Sequence, residues 1–163
     1  MKTEQLKQHF QYSAWASARL VEMAEGLPEA DLNRDFGTAD KSVLGTLVHV
    51  FAADRIWIHR VRGTPRASFI DPRDHDLSVL KKEWPEVHAA WQELLTAETD
   101  ASVQRNIPYK SLKGDPFETP LWQIVMHVVN HGSHHRGQVS GMLRSMGHTP
   151  PVLDLIQFYR QPT

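Results

Sequence analysis

The chain has 163 residues, with 18 basic and 19 acidic side chains, a formal net charge of −1 and no cysteine. That balance excludes the basic footprint of a direct nucleic-acid binder, and the lack of thiols excludes disulfides and thiolate metal sites. No apolar run approaches the roughly 20 residues that span a bilayer. The start, Met1-Lys2-Thr3-Glu4-Gln5, has no apolar leader, so one soluble cytoplasmic domain over residues 1–163 with no membrane partner is expected.

Four long segments carry helical periodicity, and none carries a sustained two-residue alternation. The first runs from Lys2 to Glu25 on a stripe of Leu6, Phe10, Ala14, Leu20, Met23 and Leu27. Gly26 and Pro28 close it, and Pro28 opens a short turn through Asp31. The second runs from Ser42, as N-cap, to Arg62, with Gly63-Thr64-Pro65 as its stop. Leu44, Leu47, Phe51, Ile58 and Val61 form its main stripe. Val48, Val50, Ile56 and Trp57 surround the rest, so most of its circumference is expected to be buried.

A loop rich in Pro, Asp and Arg leads to the third segment, Leu77 to Asp100, where Leu77, Leu80, Trp84, Val87, Trp91 and Leu94 step by three and four. Pro85 marks either a kink or the true start of this helix. Between Val103 and Thr119, the turn Lys113-Gly114-Asp115-Pro116 fits a small hairpin. The last long segment has Thr119 as N-cap, Pro120 at the first helical position and Gly147 at its end. Its stripe is Leu121, Val125, Val128, Gly132, His135, Val139, Met142 and Met146. A tail after Pro150-Pro151 folds as one short helix over Leu153 to Tyr159, with Asp154 placed to cap it or to reach a histidine. The pattern predicts an all-α four-helix bundle with a short C-terminal helix and a small hairpin before the last long helix. The five tryptophans read as core and interface anchors.

Histidine is the unusual component: ten in number, with His127, His131, His134 and His135 crowded into one stretch. His135 interrupts an otherwise apolar or glycine stripe, and His131 lies one turn below it and about 40° away. Two imidazoles on a core face are costly without partners, at roughly 1–3 kcal/mol each, and a shared divalent metal ion accounts for both. His127, about 80° from His135, and His134, about 100° away, fall at the edge or in solvent. Asn130 and Arg136 point away from the pair and are expected on a solvated face. Gln138, about 60° from His135, can line the mouth of a cavity. A third ligand must come from another helix. His49 lies in a strongly apolar one, with Gly45, Ala52 and Ala53 leaving space beside it, yet it points away from the Leu44/Leu47/Phe51 stripe, so periodicity alone does not aim it inward.

The run from His127 through His131, His135 and Gln138 to Met142-Leu143-Arg144, Gly147, Pro150-Pro151 and Asp154 resembles the DinB/YfiT-like family. Ser42-Val-Leu-Gly-Thr-Leu-Val-His49 and the first-helix residues Tyr12, Trp15, Ala16 and Arg19 resemble it too. The resemblance extends over essentially the whole chain. It implies a four-helix bundle whose divalent metal, zinc or nickel, is held by His49, His131 and His135, and it implies a homodimer; helix geometry, separately, makes His127 and Gln138 the candidates for supporting positions behind those ligands. Relatives include damage-inducible proteins of unassigned activity, S-transferases that use a low-molecular-weight thiol and a mycothiol-dependent isomerase.

Three neutral imidazoles leave a zinc ion with an open position, the pattern of catalytic rather than structural sites. Such an ion lowers the pKa of a bound water towards about 7 and equally favours a thiolate, which a cysteine-free chain must receive as a cosubstrate. The expected activity is therefore metal activation of a thiol or water against a small electrophile. A metal-dependent hydrolase, a non-enzymatic metal- or ligand-binding stress protein and a haem-binding bundle are the competing readings. No general base is identified: Glu22 and Asp54 are the nearest helical acids, and neither has supporting spacing.

Overall fold

The computed structural model describes residues 2–64 and 68–161. Among them the elements run α1 (Thr3–Glu25), α2 (Glu29–Leu32), α3 (Val43–Val61), α4 (Leu77–Thr96), β1 (Asn106–Lys110), β2 (Pro116–Pro120), α5 (Leu121–Ser145) and α6 (Leu155–Tyr159). Single 3-10 turns lie at Pro72–Asp74 and Ser102–Gln104. The expected bundle of four long helices, the short C-terminal helix and the hairpin are all present.

Local chemistry sets the boundaries. Ser42 Oγ accepts a hydrogen bond from Gly45 N–H at 3.0 Å and caps α3, worth about 1 kcal/mol. Asp76 accepts from Ser78 N–H at 2.8 Å and caps α4. The α4 helix is thus under way well before Pro85, which lies inside it. Gly63 and Gly147 turn the chain out of α3 and α5 with φ of +67° and +85°, where a side chain would be strained. Pro65, part of the stop expected for α3, lies outside the described residues.

The start of α5 differs from its sequence reading. Thr119 is a strand residue paired with Ile107, and Pro120 is the N-cap rather than the first helical residue. The ladder takes precedence over the cap: Thr119 Oγ1 lies 3.3 Å from the Tyr109 hydroxyl. The first helical N–H, Leu121, donates at 3.0 Å to the Arg105 carbonyl before the hairpin. Asp154 does stand at the N-cap of α6, but its side chain makes no capping hydrogen bond.

Helix directions follow from paired residues. His49 and Trp57 on α3 meet His131 and His127 on α5, so these two helices are antiparallel. Phe51 packs on Trp84, and Arg62 pairs with Glu93, so α3 and α4 run parallel. A parallel neighbour demands a connection that returns the length of the bundle, which is why the long segment after Gly63 exists. The Arg55–Asp74 ion pair, with Nη1 to Oδ1 at 2.9 Å, pins its far end.

The core is two apolar clusters with a polar belt between them. One cluster holds Leu20, Leu47, Phe51, Leu80, Trp84 and Val139; the other holds Leu6, Phe10, Trp91, Leu121 and Val125. At the level between lie Ser13 and Ser17 of α1, Asp54 of α3 and Arg136 of α5, all buried. The expectation that Arg136 faces solvent is wrong: it is 2% exposed. Its Nη1 donates to Ser13 Oγ at 3.0 Å and Ser17 Oγ at 3.1 Å. Gly132 supplies the room, because a Cβ there would sit 2.6 Å from Arg136 Nη1. Asp54 Oδ2 accepts from Trp84 Nε1 at 2.8 Å and lies 3.2 Å from His88 Nε2. Burial lowers the Arg136 pKa, and the negative charge of Asp54 opposes that shift.

Candidate metal centre

Where α3 and α5 cross, His49, His131 and His135 turn towards one another. Ring centroids are 5.0 Å apart for His49–His131, 4.4 Å for His49–His135 and 4.5 Å for His131–His135. One nitrogen from each ring falls within 4.8 Å of the other two, and the Nε2 atoms of His49 and His131 approach to 3.0 Å. Four-residue spacing on α5 accounts for the His131–His135 pair, as the sequence predicts. His49 joins them because α3 is buried on nearly every side. The face opposite its Leu44/Leu47/Phe51 stripe is the one that meets α5.

Outer partners set the tautomers. Nδ1 of His135 lies 2.7 Å from Gln138 Oε1, and Nδ1 of His49 lies 3.3 Å from Asp40 Oδ1. The second Asp40 oxygen stands 3.8 Å from His135 Nδ1. The Gln138 hydrogen bond places the His135 proton on Nδ1, and the Asp40 carboxylate beside Nδ1 of His49 favours the same tautomer there by its charge, so both Nε2 lone pairs can face inward, the arrangement that orients imidazoles on a metal. Gln138, about 60° from His135 on the helix, thus reaches the outer nitrogen of that ring.

Asp40 is the residue that sequence reasoning missed. It belongs to the loop before α3, and Gly45 brings it in: a Cβ on Gly45 would stand 2.0 Å from the Asp40 carbonyl oxygen. The signal was present as an acid just ahead of the Ser42 cap, but it names no target without the fold.

The donors fit a divalent transition ion. Burial lowers the His131 pKa to about 4, with further lowering from His135, His49 and His127. Burial also lowers that of His49, against the pull of Asp40. Both rings are therefore unprotonated at neutral pH, the form that ligates. His131 Nδ1 is buried without a hydrogen-bond partner, as is Asp54 Oδ1 in the polar belt. The Asp54 charge opposes part of the pKa lowering at His131. A divalent ion would be held by His131 together with His49 and His135, and the unpartnered Nδ1 of His131 would then carry the ring proton. Side-chain exposures of 22% for His49 and 13% for His135 leave one side of the cluster open. Phe69, from the long segment after α3, packs edge-on against His49 at 5.4 Å.

The remaining sequence candidates separate cleanly. His127 sits one turn outward, its ring 5.8 Å from His131 and 5.2 Å from Trp57, outside the group of three. Desolvation, then the charge of Arg60, lowers its pKa. His134 and Asn130 are exposed, as expected. Glu22 is an exposed residue of α1, whereas Asp54 is committed to the belt, so neither acts as a base at the cluster.

The helical bundle thus brings together, across two of its helices, three imidazoles that could hold a metal ion without any thiolate. The chain belongs to the DinB family, whose model matches residues 1–162. It is similar to Protein DinB of Bacillus subtilis (strain 168), 20% identical over 151 residues that cover 89% of this chain and 88% of that protein. In fold it resembles the crystal structure of a DinB-like protein from Bacillus cereus ATCC 10987. That match has a TM-score of 0.66 and 20% identity, covering 93% of this chain and 97% of the other. No helix among the described residues is long and apolar enough to cross a membrane.

Proposed function

We propose that this chain is a metal-dependent enzyme that activates a low-molecular-weight thiol, or water, against a small electrophilic substrate, at a zinc or nickel ion held by His49, His131 and His135. The observation that carries this reading is the convergence of the three imidazoles, with Gln138 hydrogen-bonded to Nδ1 of His135 and the Asp40 carboxylate beside Nδ1 of His49. Bound there, a divalent ion supplies Lewis acidity, which stabilises the deprotonated form of a thiol or water near neutral pH. The chain's own groups do the rest. Asp40 and Gln138 fix the ring planes, burial keeps His131 unprotonated, and Phe69 shields one side of His49. Three protein ligands leave an open position, as catalytic zinc sites do. With no cysteine in the chain, the thiol comes from solution.

The test begins with metal analysis of the purified protein beside His49→Ala and His131→Ala. About one equivalent in the parent and loss in both variants is expected; full retention in both ends the proposal. Metal-loaded protein is then offered epoxides and aryl halides with glutathione, bacillithiol or mycothiol. Thiol consumption that disappears in His131→Ala supports the transferase reading, and hydrolysis without thiol consumption assigns water as the nucleophile.

A further inference from the structure

A cavity of about 670 Å³ lies beyond the histidine cluster, where the end of α3 meets the hairpin. Arg60, Tyr109, Lys110, Leu112 and Phe117 line it, and no described lining residue is acidic. The Arg60 guanidinium lies 4.6 Å from the Trp57 ring centroid and 5.4 Å from that of Tyr109. Among the described residues no carboxylate pairs with it. Arg55, Arg62 and Arg73 have Asp74, Glu93 and Glu83. Arg60 is half-buried all the same, so a cation is held against two rings with its N–H edge unmatched. Phe117 stacks on Tyr109 at 5.9 Å and is 52% exposed, and Leu112 is 66% exposed. Large apolar side chains left open around an unpaired guanidinium match an organic anion with a flat apolar body.

We propose that this cavity binds a small aromatic or apolar carboxylate, its anionic end on Arg60 with help from Lys110 and its body against Tyr109 and Phe117. The guanidinium offers two parallel N–H donors to a carboxylate. Trp57 and Tyr109, whose rings lie 4.9 Å apart, hold the cation so that little freedom is lost on binding. Through Trp57 and His127 the cavity adjoins His131. Its service as the substrate subsite of the histidine centre rests on the function proposed above; anion binding itself does not.

The experiment is calorimetric titration of the metal-free protein with 2-naphthoate and with its neutral isostere 2-naphthamide. The carboxylate should bind about tenfold tighter than the amide. That preference should vanish in Arg60→Met and weaken in Lys110→Ala, a surface change that leaves folding intact. It should persist in His131→Ala, which separates this site from the metal reading. Equal affinity for the two probes, no saturable binding of either, or a preference that survives Arg60→Met in protein with an unchanged melting curve overturns the proposal. A sedimentation shift in Arg60→Met with carboxylate binding unaltered assigns the cavity to a second copy of the chain, and overturns it equally.

Discussion

The carboxylate of Asp40 stands 3.3 Å from Nδ1 of His49, although one belongs to a loop and the other to the middle of a helix. Its other oxygen is 3.8 Å from Nδ1 of His135, so a single acid steadies rings on two helices. Removing an outer partner of this kind weakens metal binding about 10- to 100-fold. Asp40→Ala should show that loss in competition with a chromophoric chelator while its circular dichroism is unchanged. Asp40→Asn, which keeps one acceptor, should lose less. Equal affinity in all three proteins would remove Asp40 from the site.

Gly45→Ala tests the same loop from beneath. The added Cβ would meet the Asp40 carbonyl at 2.0 Å, so the loop must move. The cost should be about 1–3 kcal/mol in denaturant unfolding, with a fall in metal affinity like that of Asp40→Ala. A destabilised variant that binds metal normally would show that the loop's backbone position and its carboxylate act separately.

Acid should weaken the metal-free fold through His131. Its pKa is about 4 in the folded protein against an ordinary 6.5. The neutral ring's contribution is complete above pH 6.5. It is lost as pH falls from 6.5 towards 4, where the unfolded chain takes up a proton that the folded chain refuses. Partial exposure of the ring screens and shrinks the effect. His131→Gln should therefore melt less steeply with pH across this window than the parent, and parallel profiles would refute the assignment.

The polar belt predicts a strongly non-additive pair. Arg136→Met removes the cation whose charge acts on the buried Asp54 and leaves the Ser13 and Ser17 hydroxyls without their donor, which should cost about 3 kcal/mol. Arg136→Met with Asp54→Asn should be more stable than the sum of the two single changes requires, read from a double-mutant cycle of urea midpoints. Strict additivity would mean that the two charges do not feel each other.

Much of this was legible in the sequence, for identifiable reasons. The four long helices and the His131–His135 pair follow from periodicity and i,i+4 spacing, which are local. His49 was not legible by the same means. On a helix buried almost all round, the dominant stripe does not say which face meets the site, and its choice came from family resemblance. Asp40 required knowledge of where a loop lands. Arg136 looked exposed because its acceptors, Ser13 and Ser17, lie on the first helix, far away in sequence. Thr119 looked like a cap because strand pairing with Ile107 is non-local.

The belt of Ser13, Ser17, Asp54 and Arg136 also works as a mechanical detent. Helices joined only by apolar side chains can slide by a turn and repack at modest cost. Here, such a slide of α5 would drag a guanidinium off its hydroxyls and into hydrocarbon, a loss of several kcal/mol. His131 and His135 ride the same stretch of α5 as Arg136, so their height against His49 is indexed by groups that need never touch an ion. A shift of α5 that parted the three rings would first have to break hydrogen bonds that none of the three makes.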